Sequence, residues 1–165
     1  MIEDHLHLLG EVTGRRVLEL GFTQSCHAVE LAARGAVVTA VDPSGSRVAA
    51  VRQVAADEAV RLELHHGELA DLAFLRADTI DAVVLDGSLD EVADADRLLR
   101  QANRVLRGDG LLLLAVLHPA STGGSYFAGR TFGALFGALQ RTNFRIDTIV
   151  EPEPVLVVRA RKLGV

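Results

Sequence analysis

The sequence is poor in cysteine, aromatic residues and positive charge, and each shortage argues against a class of protein. A single cysteine in 165 residues excludes an internal disulfide framework and a cysteine-rich zinc module. Aromatic side chains make up 4% of the residues and tryptophan is missing, which argues against a base-stacking platform for nucleic acid. The formal net charge of -5 argues against the clustered basic surface of a nucleic-acid-binding protein.

Long apolar runs are missing as well. Leu111–Leu117 is among the longest, and it is far too short to cross a bilayer. The first residues do not place a basic segment before an apolar run, so no secretory signal is predicted. We therefore expect a cytoplasmic protein with neither a membrane nor a nucleic acid as partner. The 165 residues, of which 49% are hydrophobic, suit one folded domain over 1–165 with no separate substrate domain.

What the sequence does contain is a regular alternation of short apolar runs and segments with helical periodicity. The first five runs are nearly continuous in Val, Leu, Ile and Ala, which is typical of strands covered on both faces. Strands that alternate with helices predict a parallel sheet with helices on both sides. The predicted strands are Arg16–Leu20, Ala36–Val41, Arg61–His65, Ile80–Leu85, Leu111–Leu117, Phe144–Val150 and Val155–Arg161, and the predicted helices are Cys26–Arg34, Ser44–Ala59, Asp94–Leu106 and Thr131–Arg141.

The last two predicted strands differ from the others in their connection. Only Glu151–Pro154 separates them, which is too short for a crossover helix, so they are expected to form an antiparallel hairpin. Earlier in the chain, Gly108–Gly110 is expected to turn the preceding helix into the fifth strand, and Ser44 to cap the helix that follows it. The sequence therefore predicts an α/β fold: a doubly wound, mostly parallel, seven-stranded sheet that ends in an antiparallel hairpin.

Acidic residues follow three of the predicted strands, where an open parallel sheet binds its ligands. Glu19 lies just before the first turn, which lacks the Gly-x-Gly-x-x-Gly pattern of a dinucleotide site. An acid beside this loop suits a ligand with a positive charge. Asp42 ends the second strand, where a carboxylate accepts hydrogen bonds from ribose hydroxyls, and Glu68 follows the third strand.

These motifs resemble those of the class I S-adenosylmethionine-dependent methyltransferases. The resemblance runs from Val17 to Pro119 and continues loosely to the end of the chain. It rests on the order and spacing of five motifs rather than on any one of them. They are Val-Leu-Glu-Leu-Gly at 17–21, Val-Asp-Pro-Ser at 41–44, Gly-Glu at 67–68, Asp-Ala-Val-Val-Leu at 81–85 and Leu-Arg-Gly-Asp-Gly-Leu-Leu-Leu at 106–113.

The resemblance implies a Rossmann-like domain that uses S-adenosylmethionine to methylate a small-molecule acceptor. Glu19 and Gly21 would hold the methionine end, Asp42 the ribose and Glu68 the adenine side. The full set of expected cofactor-binding residues is Glu19, Gly21, Phe22, Thr23, Asp42, Pro43 and Glu68.

One departure from the family pattern leaves a second reading open. The family loop commonly carries three glycines, whereas this chain has Thr23 and Ser25 at the second and third positions. Glycine there permits a positive φ or a close approach of the backbone to the ligand. The alternative is a catalytically inactive or repurposed methyltransferase fold that acts as a binding or interaction subunit.

Residues near the expected acceptor are less specific. Asp86 and His118 end the fourth and fifth strands and are the candidate catalytic residues, to orient or deprotonate an acceptor. The alternative for Asp86 is a residue that caps a turn, and the alternative for His118 is a structural histidine. Tyr126 and Phe127, in a glycine-rich stretch, are candidate substrate contacts or else core aromatics. The rest of the acceptor pocket is expected from strand-end loops, chiefly Pro119–Arg130, or from a second copy of the chain or a partner subunit.

No metal site is predicted. The metal-dependent catechol-type enzymes of the family need Asp-Asn after the fifth strand, and this chain has His118-Pro119 there. Cys26 is interpreted as a buried structural thiol, because its neighbour His27 does not face it on a helix and so cannot serve as its base.

Overall fold

The computed structural model describes residues 2–22, 26–118 and 131–164, and these form alternating strands and helices. The alternation runs up to the fifth strand with one interruption: no helix separates the third strand from the fourth in the described residues, and the sequence predicts none there. The strands are β1 (Arg16–Leu20), β2 (Val37–Asp42), β3 (Glu63–His66), β4 (Ile80–Asp86), β5 (Leu106–Leu117), β6 (Phe144–Val150) and β7 (Val155–Lys162). The helices are α1 (Ala28–Ala33), α2 (Gly45–Asp57), α3 (Ala95–Val105) and α4 (Phe132–Arg141), with 3-10 helices at Glu3–Leu9 and Ser88–Glu91.

Within the described residues the strands form one seven-stranded sheet in the order β3-β2-β1-β4-β5-β7-β6. Strands β1 to β5 are parallel, and β7 lies between β5 and β6 and runs antiparallel to both. The predicted fold class is confirmed: a Rossmann-like, doubly wound, mostly parallel sheet with a C-terminal antiparallel hairpin. The order of the strands reverses between β1 and β4, which makes their carboxyl ends the expected place for a ligand.

Each central strand is buried on both faces because two layers of helices cover the sheet. On one face, Leu18 and Leu85 belong to a core that they share with α3 and α4. On the other, Val17 and Val84 pack with α1, α2 and the N-terminal 3-10 helix. Neighbouring residues of a strand point to opposite faces, so two apolar layers require an unbroken apolar run. This is why the first strands lack the alternation of a half-exposed strand.

Most element ends lie within one or two residues of the prediction, and Ser44 caps α2 as expected by accepting from the backbone of Arg47. The start of β5 is the exception. Leu106 already pairs with Ile80, while the next paired residue of β4, Ala82, lies opposite Leu111. Gly108–Gly110 is therefore part of an irregularity inside β5 rather than the turn before it. Among the described residues, no helix combines the length and the apolar composition that a membrane span requires.

Candidate functional site

Three acidic side chains lie at the carboxyl ends of neighbouring strands, and all three are fully buried. They are Glu19 on β1, Asp42 on β2 and Asp86 on β4. Carboxylates are seldom buried completely unless they are paired or hydrogen-bonded. Three of them lie along one edge of the sheet, on either side of the point where strand order reverses, and this makes that edge the candidate functional one.

Glu19 receives its described hydrogen bonds from neutral donors. Its Oε1 accepts from the backbone N–H of His27 at 2.9 Å, and its Oε2 accepts from the thiol of Cys26 at 3.6 Å. Burial raises the pKa of Glu19 to about 7, against the smaller opposing effect of the His27 hydrogen bond. Burial and the nearby Glu19 also raise the pKa of the Cys26 thiol, which agrees with a structural rather than a nucleophilic cysteine.

Gly21 begins the turn that leaves β1, with a φ of +85°. A Cβ at this position would collide with the Cβ of Ser88, which lies just after β4. A side chain is therefore excluded both by backbone conformation and by space. The close approach joins the β1 turn to the β4 turn across the reversal in strand order.

Asp42 holds the β1 turn and the start of α2 together. Its Oδ2 accepts from the backbone N–H of Phe22 at 2.6 Å, and its Oδ1 accepts from the backbone N–H of Ser44 at 2.7 Å. The Nε of Arg47 also donates to Oδ1, at 3.0 Å, and the same guanidinium reaches Glu91. Two of the contacts orient the carboxylate through the backbone, whereas the third comes from a side chain that is partly exposed.

A cavity of about 390 Å³ lies next to Pro43, the residue that follows Asp42. Pro43, Glu68 and Leu69 form one wall, and Val92 and Arg97 contribute to the other. The structure thus brings two of the predicted cofactor residues, Pro43 and Glu68, to the same cavity. Charged and apolar residues line this cavity in equal number, and its volume is within the usual range of a ligand pocket.

Asp86 and His27 form a buried ion pair at the same edge. The Nε2 of His27 lies 2.8 Å from Oδ2 of Asp86, and the two side chains are 2% and 0% exposed. The backbone N–H of Ile2 also donates to Oδ2 of Asp86, at 3.4 Å. Although burial opposes ionisation, the hydrogen bond from His27 holds the pKa of Asp86 below its ordinary value.

The structure says less about the other residues predicted to contact the acceptor. His118 follows β5; its ring lies 3.3 Å from Glu151, and its backbone N–H donates to the carbonyl of Pro154. These contacts tie His118 to the connection between β6 and β7. Thr23, Tyr126 and Phe127 lie outside the described residues.

A family model described as a methyltransferase domain matches residues 18–114, which is more than half of the chain. The match starts in β1 and ends in β5, so it covers the strands that carry the three buried carboxylates. The chain belongs to the class I S-adenosylmethionine-dependent methyltransferases. The resemblance seen in the sequence motifs is confirmed.

Curated relatives of this chain match over part of their length. A protein of Xanthomonas oryzae pv. oryzae named "Ubiquinone biosynthesis O-methyltransferase" is 28% identical over 115 residues, which cover 70% of this chain and 48% of the relative. A protein of the same name from Xanthomonas axonopodis pv. citri is 30% identical over 108 residues, or 66% of this chain and 45% of the relative. The chain thus spans about half the length of the curated relatives it matches.

Solved structures share the fold of this chain over nearly its whole length. A structure described as an S-adenosylmethionine-dependent methyltransferase from Mesorhizobium loti matches with a TM-score of 0.79 at 22% identity, covering 93% of this chain and 94% of that one. At this identity the likeness shows the fold alone.

The residues that sequence reasoning missed are those whose partners lie far away in the chain. The sequence places His27 next to Cys26, yet its ring contacts Asp86, which is 59 positions away. Arg47 carried no motif, and its contact with Glu91 spans 44 positions. The one available signal was that β1 and β4 had to be neighbours for their carboxyl ends to carry Glu19 and Asp86 side by side.

Proposed function

We propose that this chain binds S-adenosylmethionine at the carboxyl edge of the sheet and transfers its methyl group to a hydroxyl oxygen of a small molecule. The observation that carries the proposal is the convergence of the Gly21 turn, the Asp42 carboxylate and the cavity at Pro43 and Glu68 on one edge. The relatives named as O-methyltransferases support an oxygen acceptor.

The residues at this edge fit the cofactor that the family uses. Glu19 is a buried carboxyl whose pKa of about 7 reflects its burial, so a cation beside its ionised form would be stabilised. Glu68 is exposed at the cavity and offers a carboxylate to an amino group such as that of adenine. When bound, S-adenosylmethionine supplies a methyl group on a positively charged sulfur.

Asp42 is the residue expected to accept from the ribose hydroxyls. The backbone N–H groups of Phe22 and Ser44 orient the carboxylate of Asp42. Arg47 is the hydrogen-bond partner that the ribose hydroxyls would displace. The guanidinium of Arg47 is 33% exposed, so it reaches solvent without rearrangement of the fold. We therefore assign Arg47 as a competitor for Asp42 rather than as part of the cofactor site.

The test is a transfer assay with methyl-labelled S-adenosylmethionine and a panel of phenols, alcohols, amines and carboxylates. The proposal predicts label in a hydroxyl acceptor and an equal amount of S-adenosylhomocysteine. Cofactor binding without transfer to any acceptor would instead favour the binding or interaction subunit.

A further inference from the structure

His27 lies between the two sides of the proposed site. Its backbone N–H donates to Glu19 at the end of β1, and its ring contacts Asp86 at the end of β4. These strands flank the reversal in strand order. One residue therefore fixes both the carboxylate on the cofactor side and the carboxylate on the acceptor side.

The surroundings of His27 favour a charged imidazolium. Glu3 of the N-terminal 3-10 helix, Glu19 of β1 and Asp86 of β4 all face it, and Cys26 is its neutral neighbour on the path to α1. Burial alone would lower the pKa of His27, but the Asp86 hydrogen bond and the charges of Glu19 and Asp86 raise it above its ordinary value. An imidazolium beside Asp86 keeps that carboxylate ionised.

An ionised, hydrogen-bonded carboxylate is a weak base but a good hydrogen-bond acceptor. It suits an acceptor that still carries its proton and disfavours an anionic acceptor such as a carboxylate. We propose that His27 is a positioning residue for methyl transfer, which holds Asp86 ionised and oriented to accept a hydrogen bond from the O–H of the acceptor. This inference rests on the proposed function and adds the class of acceptor: a neutral hydroxyl compound.

The chemistry balances without a further reactant. A lone pair of the acceptor oxygen forms the bond to the methyl carbon, while the carbon–sulfur bond breaks and leaves its electron pair on sulfur. The O–H proton becomes strongly acidic as the new bond forms. It passes along its hydrogen bond to Asp86 and from there to water, so a carboxylate with a low pKa suffices.

Two substitutions separate the contribution of the His27 hydrogen bond from the contributions of its charge and its packing. His27→Leu removes the ring nitrogen, whereas His27→Gln places an amide N–H within similar reach of Asp86 without a charge. Neither substitution changes the backbone N–H of residue 27, which donates a hydrogen bond to Glu19. At about pH 8, where Glu19 is ionised, we expect both variants to bind S-adenosylhomocysteine within about threefold of the wild type, because the backbone contact on the cofactor side is kept.

The variants are expected to differ in turnover. His27→Leu should lower kcat roughly 100-fold, as expected for a misplaced reacting group, and His27→Gln should recover most of that loss. The acidic limb of the kcat profile should move to higher pH in His27→Leu, because the hydrogen bond and charge of His27 no longer oppose the effect of burial on the pKa of Asp86. Unchanged kcat and an unchanged pH profile in His27→Leu would overturn the role of His27.

A readout without turnover keeps this inference separate from the proposed function. In ¹⁵N spectra of the apoprotein, His27 should carry a proton on Nε2 and titrate above its ordinary pKa, and Asp86→Asn should lower that pKa. An ordinary pKa that does not respond to Asp86→Asn would contradict the pairing, even if methyl transfer is observed. If the pairing is seen but the wild type transfers no methyl group, the proposed function fails, and the catalytic role of His27 fails with it.

A divalent cation is the competing explanation of this cluster. Glu3, His27 and Asp86 each offer one ligand atom, and these atoms lie within 4.8 Å of one another. The transfer assay is therefore repeated after EDTA treatment and again with added Mn²⁺. Activity that is lost on chelation and restored by Mn²⁺ would assign the cluster to a cation and overturn the inference.

Discussion

Gly21 shows how one residue without a side chain determines the shape of the site. Its φ of +85° is costly for other residues, and the turn after β4 occupies the space that a side chain would need. The glycine therefore lets the β1 and β4 turns meet. The sequence motif indicated a glycine-dependent turn, but the identity of its neighbour, Ser88, is a property of the tertiary fold.

Gly21→Ala is predicted to lower the free energy of unfolding by about 3 kcal/mol, because it combines backbone strain with overpacking. Gly67→Ala is the matched control, since a Cβ at Gly67 meets nothing within 4 Å. The control should change the free energy by less than about 0.5 kcal/mol. Urea unfolding of the two variants measures the difference, and equal losses would show that the contact with Ser88 is not constraining.

His27 illustrates why a site residue escapes sequence reasoning. Cys26 and His27 are adjacent in the sequence, which suggests a thiol and its base. Adjacent residues of a helix do not face each other, and this argues against such a pair. The actual partner, Asp86, ends a different strand. Only the pairing of β1 with β4 brings the two side chains together, and a single sequence predicts that pairing through the fold class rather than through any local pattern.

At the scale of elements, the strands were predictable because two helical layers bury both faces of the sheet. The apolar run Ala82–Leu85 of β4 follows from this burial. The start of β5 was not predictable in the same way. Gly108–Gly110 has the composition of a turn, but the chain before it already pairs with β4, and the extra residues are accommodated as an irregularity.

Helix α2 presents Arg47 from its first turn, and this side chain links two acidic elements. It contacts Asp42 at the end of β2 and Glu91 in the 3-10 helix after β4. The link neutralises Asp42 while the cofactor is absent. In the proposed complex it competes with the ribose and adds a positive charge close to a cationic ligand.

Arg47→Gln is therefore predicted to tighten binding of S-adenosylmethionine about fivefold, since a partly exposed ion pair contributes on the order of 1 kcal/mol. Arg52→Gln makes the same change of charge on the same helix, at an exposed residue with no ion pair among the described residues, and should leave the affinity unchanged. Calorimetric titration compares the two. Weaker binding by Arg47→Gln would show that Arg47 contributes to the cofactor site instead.

At the scale of the whole molecule, charge is distributed unevenly between the two edges of the sheet. The carboxyl edge carries the buried acids Glu19, Asp42 and Asp86. The amino edge carries exposed arginines such as Arg16 and Arg61, which line a groove of about 770 Å³ that holds none of the predicted site residues. This groove is on the opposite edge from the buried carboxylates, and the chemistry of the side chains rather than the size of a groove indicates the proposed site.

The ionisation of Glu19 should make cofactor binding at this edge depend on pH. Its pKa of about 7 in the free protein means that the carboxyl is largely protonated in mildly acidic solution. A cationic ligand favours the ionised form, so binding releases a proton below pH 7. Affinity should therefore rise with pH as Glu19 ionises, and level off above its pKa.

The most direct test of the account is calorimetric titration of the protein with S-adenosylmethionine between pH 5.5 and pH 7. We predict saturable binding to one site, with an affinity that rises roughly tenfold over this interval, and a much flatter pH dependence in Glu19→Gln. Absence of binding at millimolar cofactor would contradict the central claim that this edge of the sheet is a cofactor site.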